Sequence, residues 1–271
     1  MKWQAFAVAA VGCLLPSFAS AQELALTHVR NTYGELGGTR PDSKFMPGDC
    51  VFVAFNIENI TVAPDGSCYY SMGLEVMDKQ GKPTLKQEPT VRHEYMPLGG
   101  TTLPARAFVT VGVDMAPGEY TMTVTVVDEK KAGTKKALTR KFEVLKKDFA
   151  IVAVYTSADP KGEISAPTTG VVGQSVWVQF GIIGFKRDPR TKQPLIEYEI
   201  QFFDDSGKPT LKKPIVDKTD SGIEEKFEAF PNNYPVPFTR AGKFVMRIKA
   251  TDKIASKSYT FDLPLAAVPP N

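Results

Sequence analysis

PGEYTMTVTVVD, Pro117 to Asp128, decides how the chain folds. Tyr120, Met122, Val124 and Val126 recur at every second position with Thr121, Thr123 and Thr125 between them. An apolar set of period two marks a strand with one face on a core and the other in water. The pattern returns as AGKFVMRIKATD, Ala241 to Asp252, at an offset of 124 positions, with Phe244, Met246 and Ile248 in the apolar phase.

Two further pairs of segments keep the same order. PGDCVFVAFNI (Pro47 to Ile57) matches VGQSVWVQFGI (Val172 to Ile182) at an offset of 125, and GKPTLK occurs at Gly81 to Lys86 and again at Gly207 to Lys212, an offset of 126. Three collinear matches with drifting offsets are the trace of a duplication followed by loop changes. They divide the chain into 1–21, a leader; 22–146, a first repeat; and 147–271, a second. Runs of strand character fall near Leu24, Cys50, Tyr69, Thr84, Ala107, Glu119 and Lys136, with counterparts in the second repeat except a weaker fifth. Short strands separated by turn signals in each repeat predict an all-β chain of two tandem antiparallel sandwiches.

GKPTLK has a structural reading in that frame. Asp78-Lys79-Gln80-Gly81 and Asp204-Asp205-Ser206-Gly207 are hairpin-type turns, in which Asp bonds its own backbone and Gly takes positive φ. Pro83 and Pro209 follow, and proline belongs at an edge or a strand start because it donates nothing to a ladder. An edge opening Lys-Pro is protected against other chains.

The composition is that of a globular protein: 271 residues, 42% hydrophobic and 23% charged. With 33 Lys and Arg against 30 Asp and Glu, the charge is too balanced to indicate nucleic acid as a partner. At the N-terminus Lys2 precedes an apolar run from Ala5 to Leu15, which Pro16 breaks ahead of Ala19-Ser20-Ala21. That is the layout of a cleavable signal peptide cut between Ala21 and Gln22, and the run is well short of the roughly 20 residues a membrane span needs. The expected location is therefore secreted or periplasmic, without membrane insertion of the mature chain. Cleavage would leave two cysteines, Cys50 and Cys68. Export would permit a disulfide between them, closing about 18 residues for about 3 kcal/mol on the loop-entropy model, with two separate buried thiols as the alternative.

PGEY followed by an alternating strand resembles the start of the sixth strand in immunoglobulin-like sandwiches, where a tyrosine bonds back to the upstream backbone. Tyr120 stands at that corner; in the second repeat Phe244 stands there without a hydroxyl. Met122 occupies the position of the antibody-type cysteine, so the pattern is closer to the immunoglobulin-like and fibronectin-like repeats of secreted bacterial proteins than to antibody domains. The resemblance implies an architecture and no activity.

Catalytic constellations are thin. There are two histidines, His28 and His93, no G-x-S-x-G elbow and no H-E-x-x-H spacing; His93 reads as a solvated loop residue. Asp204-Asp205 and Glu224-Glu225 lack the alternating oxygen ligands of a calcium loop. The reading is a non-catalytic chain with no cofactor and no metal. The short linker Val144 to Phe149 restricts relative motion of the repeats, arranged end to end.

Two features mark candidate contact surfaces. Trp177 and Phe52 fall in the phase opposite to their core neighbours, which sets an aromatic on the outer sheet face of each repeat. FPNNYPVPF, Phe230 to Phe238, is a proline-stiffened aromatic stretch where the first repeat has FVTVGV, and it offers Tyr234 and Phe238 as a recognition loop or a packed irregular edge. The resulting expectation is a binding or structural protein of the cell envelope whose partner is an envelope protein or polysaccharide. The alternatives are a carbohydrate-binding module and a periplasmic chaperone with an exposed edge strand, although the Arg and Lys pair of pilus chaperones has no counterpart here. Asn59-Ile60-Thr61 is a glycosylation acceptor only in a suitable host.

Overall fold

The computed structural model describes residues 23–270. The leader and its cleavage site lie outside the described residues. Within them every regular element is a strand.

In the first half, β1 (Ala25–Thr32), β3 (Cys50–Glu58) and β6 (Thr102–Thr110) form a sheet of order β1-β3-β6. Facing it is a sheet of order β2-β8-β7-β4-β5, built from β2 (Lys44–Phe45), β4 (Ser67–Asp78), β5 (Pro83–Tyr95), β7 (Gly118–Asp128) and β8 (Lys135–Val144). The second half repeats this plan. There β9 (Ala150–Ser157), β11 (Ser175–Ile183) and β14 (Ala229–Pro237) face β10 (Thr169–Val171), β12 (Ile196–Asp204), β13 (Ile215–Thr219), β15 (Gly242–Asp252) and β16 (Lys257–Val268). The alternating phases meet between the sheets: Val51, Val53, Phe55 and Ile57 of β3 pack with Met122, Val124 and Val126 of β7 in one core. Val176, Val178, Phe180 and Ile182 of β11 pack with Met246, Ile248 and Ala250 of β15 in the other. Each such fully buried side chain contributes about 1.5–3 kcal/mol.

The halves share irregularities as well as strands. The β1–β3 ladder is bulged at His28 (φ 51°), and the β9–β11 ladder is bulged beside Ala153 (φ 50°). Asn59 (φ 59°) and Gly184 (φ 66°) take the same left-handed turn after the third strand, which accounts for Asn at a position that otherwise calls for Gly. Asp128, buried at the end of β7, accepts bonds from the Thr61 and Lys130 backbones; Asp252, buried at the end of β15, accepts from Lys186, Ile254 and Ala255. Each fixes the loop that crosses from one sheet to the other.

The two sandwiches are locked together. Tyr33 from the first half sits in the second core, edge-on to Phe261 at 6.0 Å. Asp49 Oδ1 accepts the backbone N–H groups of Cys50 (2.8 Å) and Ala153 (3.0 Å), while Oδ2 takes Arg40 Nη1 at 3.0 Å. Met46 packs with Ala150, Val152 and Ile183, and Gly38 N donates to Thr168 Oγ1 at 2.9 Å. Lys257 reaches Asp148 in the linker, and Lys147 pairs with Glu228 at 2.5 Å.

Three expectations are corrected by the fold. Cys50 and Cys68 are free thiols, not a disulfide. Cys50 opens β3 and Cys68 is the second residue of β4, beyond the far end of β3, so at about 3.3 Å per residue they sit at opposite ends of the sandwich, past the roughly 7 Å Cα limit of a bridge. Phe230 to Phe238 is no loop but an edge strand: β14 pairs with β11 over nine residues in unbroken register, so the run that is weaker in sequence is a fully formed strand. His93 lies on β5 rather than in a loop.

Candidate interaction surface

Sheet width leaves one long strand unsupported among the described residues. Five strands face three in the first half, so β5 overhangs, and all of its residues except Leu85 are exposed. Its sequence, PTLKQEPTVRHEY, explains this: beyond Pro89 both phases avoid large aliphatics except Val91, and nothing invites a covering layer.

Pro89 divides the strand. The register shifts between Met72 and Leu74, leaving Glu88 and Pro89 opposite Gly73, where an added Cβ would lie 3.0 Å from the Pro89 ring. That is a bulge, a device that blunts an edge. Lys82, Pro83, Lys86 and Pro89 therefore protect the half of the strand that begins with GKPTLK. From Thr90 to Tyr95 there is neither proline nor lysine.

The backbone of that second half points outward in a fixed phase. Met96 N–H donates to Gly66 O at 2.8 Å, opposite the register Ser67↔Tyr95. Alternation of antiparallel bonds then commits the even residues Thr90, Arg92 and Glu94 to β4 and leaves the N–H and C=O of Val91, His93 and Tyr95 on the free edge. On the outer face His93 stacks on Tyr69 (4.2 Å, 5°) and leans on Tyr95 (4.7 Å), with Lys130 Nζ 4.4 Å from the Tyr69 ring centre. Val91 and Tyr95 are 62% and 60% exposed, and Leu98 just past the strand is 99% exposed. On the inner face Arg92 and Glu94 lie along the rim. Burial pushes the Tyr70 phenol up while Arg92 acts against it, and burial, then Glu94, pushes the Cys68 thiol up. Cys50 is also raised by burial, so both thiols stay protonated and weakly nucleophilic.

Of the residues singled out from sequence, Phe52 and Trp177 stand on outer faces and are half-buried. Phe52 stacks under Phe108 at 5.6 Å, and Phe108 is 54% exposed. Tyr120 Oη donates to Ala116 O at 2.9 Å. Phe244 makes no such bond and lies 4.8 Å beneath the Arg240 guanidinium. Tyr234 is half-buried against Phe202 in an open cleft of about 340 Å³ that Leu211 and Phe244 also line. Phe238 is 4% exposed and belongs to the core, so it offers no contact surface. From sequence His93 reads as a solvated loop residue and Val91 and Tyr95 go unnoticed, although the alternation T-V-R-H-E-Y carries all three. Among the described residues no group of three His, Cys, Asp or Glu side chains is placed to hold a metal ion, and no helix is long and apolar enough to cross a membrane.

No protein-family model matches the chain, and no curated protein does. Among solved structures it is similar to the C-terminal domain of the Streptococcus pyogenes antigen I/II-family protein AspA, over 90% of this chain and 100% of that one, at 10% identity and a TM-score of 0.30. A likeness at that level carries no argument. The class is set by the strand pairing itself: an all-β chain of two antiparallel β-sandwiches.

Proposed function

We propose that this chain is an exported, non-catalytic binding protein of the cell envelope whose contact is made by strand addition at the free edge of β5. The observation that carries the reading is the stretch Thr90–Tyr95, exposed on both faces, with three outward N–H and C=O pairs and neither the proline nor the lysine that guards the first half of the strand. An extended segment added there gains main-chain hydrogen bonds, and Val91, His93 and Tyr95 supply alternate side-chain contacts. The locked junction around Asp49 supports the reading, because a rigid body keeps the edge presented in one orientation. Residues 1–21, with the composition of a leader, support the location.

A second reading rests on the stacked Phe52–Phe108 pair, an exposed aromatic platform of the kind that packs against sugar rings. The full chain, incubated with envelope fractions separated into protein and polysaccharide, tests both. Retention by protein that Val91→Pro removes and Phe108→Ala leaves intact is the expected outcome. Retention by polysaccharide that Phe108→Ala or Trp177→Ala removes would overturn it in favour of the platform.

A further inference from the structure

We infer that the segment added to β5 is β5 of a second copy of this chain, paired antiparallel about His93 to make one continuous sheet across a two-fold dimer. This rests on the strand-addition reading above and names its partner.

The argument is the self-complementarity of Val91-Arg92-His93-Glu94-Tyr95. In an antiparallel pair, residues directly opposite share a face, so a two-fold axis through His93 sets Arg92 opposite Glu94 of the second copy on the inner face, twice. On the outer face it sets Val91 opposite Tyr95 of the second copy, twice, which covers the two most exposed apolar side chains of the strand. His93 meets His93 of the second copy, and each ring is already stacked on Tyr69. The backbone phase agrees: Val91, His93 and Tyr95 are the residues whose N–H and C=O face the edge, so these pairs exchange hydrogen bonds.

Neighbouring registers fail. An axis through Arg92 sets Arg92 against itself, and an axis through Glu94 sets Glu94 against itself. An axis through Val91 brings Pro89, without a donor, opposite His93 and Glu88 opposite Glu94. Like charges directly opposite are destabilising, and an axis through Tyr95 sets Pro97, without a donor, opposite His93, so the His93 register is favoured. The contrasting edge is β14, where Pro231, Pro235 and Pro237 share one phase of a strand paired only with β11, and the molecule has thus closed that edge while leaving this one open.

Sedimentation equilibrium of the full chain, expressed from Met1 and purified as the cell processes it, tests the inference. The expected result is a monomer–dimer equilibrium in which Arg92→Glu and Glu94→Arg each weaken the dimer by about tenfold or more, while the double variant, self-complementary again with its charges exchanged, recovers most of the affinity. Val91→Pro, which removes an outward donor and spares the β4 ladder, should leave monomer. Circular dichroism and thermal melting of each variant separate lost pairing from lost folding. A chain that stays monomeric at the highest soluble concentration overturns the inference, as does a double variant no better than the singles. If the monomeric chain still retains an envelope protein and loses it on Val91→Pro, the dimer falls and strand addition stands; if it retains none, both fall.

Discussion

The two halves carry the same turn and use it differently. In each, an Asp accepts backbone bonds across the hairpin, Asp78 Oδ1 from Gln80 and Lys82, Asp204 Oδ1 from Ser206 and Lys208, with Gly81 and Gly207 at φ 79° and 77°. In the first half the chain leaves the turn as a 13-residue strand; in the second it makes an isolated bridge at Pro209, wanders, and returns as the five-residue β13. The duplicated letters therefore encode the hairpin and not the strand beyond it. Past the turn the two copies have diverged, to a long exposed edge strand in one half and a short one in the other, and that difference is where function is to be sought.

If the halves act as one body, the largest effect comes from the junction, where the first half's Asp49 reaches the backbone of the second. Asp49 and Arg40 have side chains only 6% and 10% exposed. Asp49→Ala takes from the guanidinium its buried carboxylate, leaving it Asp42 and the Lys44 carbonyl, and leaves two backbone N–H groups unmet; it should cost about 3 kcal/mol or more in urea denaturation, with the two halves melting apart rather than together. A single unchanged transition would break the picture of a locked body.

The loop-fixing aspartates compare the halves directly. Asp252 satisfies three backbone donors and Asp128 two. At about 1–3 kcal/mol for each buried donor left unmet, partly offset by water, Asp252→Ala should destabilise by about 3 kcal/mol and Asp128→Ala by less. Equal losses would mean that loop packing, not donor satisfaction, sets the cost. Smaller still is the corner: Tyr120→Phe removes the bond to Ala116 O and should cost about 1 kcal/mol, whereas Phe244→Tyr, with no such bond to lose, should change little by the same measurement.

Much of this was legible in the sequence because it depends on local pattern. The period-two phases of β3, β7, β11 and β15 name the core residues directly, and Asp-x-x-Gly names the turns. The misreadings share a physical cause. Phe230 to Phe238 looks unlike a strand because Pro forbids ladder donation, but at an edge only alternate residues donate inward, so prolines in the other phase are compatible with full pairing. The cysteines carry no information about which ends of which strands they occupy. The exposure of β5 depends on the width of the facing sheet, and Tyr33 and Asp49 act on residues more than 100 positions away, as in the 104-residue separation of Asp49 and Ala153. Neither is written in any window of the chain.

The smallest effect sharpens the comparison through pH. Asp159, Asp188, Asp204 and Asp220 of the second half are all held below the ordinary carboxylate range, the first two chiefly by backbone N–H donors, from Ile164 and Thr191, and the others chiefly by Ser206 and Lys218 side chains. In the first half the corresponding case is Asp65, held down by the Ser67 backbone. A carboxylate whose folded pKa is depressed stabilises the fold above its unfolded pKa, about 3.9 for Asp, and loses that contribution as pH falls through the folded value. These turns are solvent-exposed, so each contribution is small and screened by salt. With Asp148, held down chiefly by the Lys257 side chain, five such groups against one fix a direction: on acidification below about pH 4, amide protection in the β9–β16 half should weaken before that in the β1–β8 half. Hydrogen exchange followed by fragment mass across that range measures it, and the reverse order would mean that these turn carboxylates do not set the acid response of the two halves.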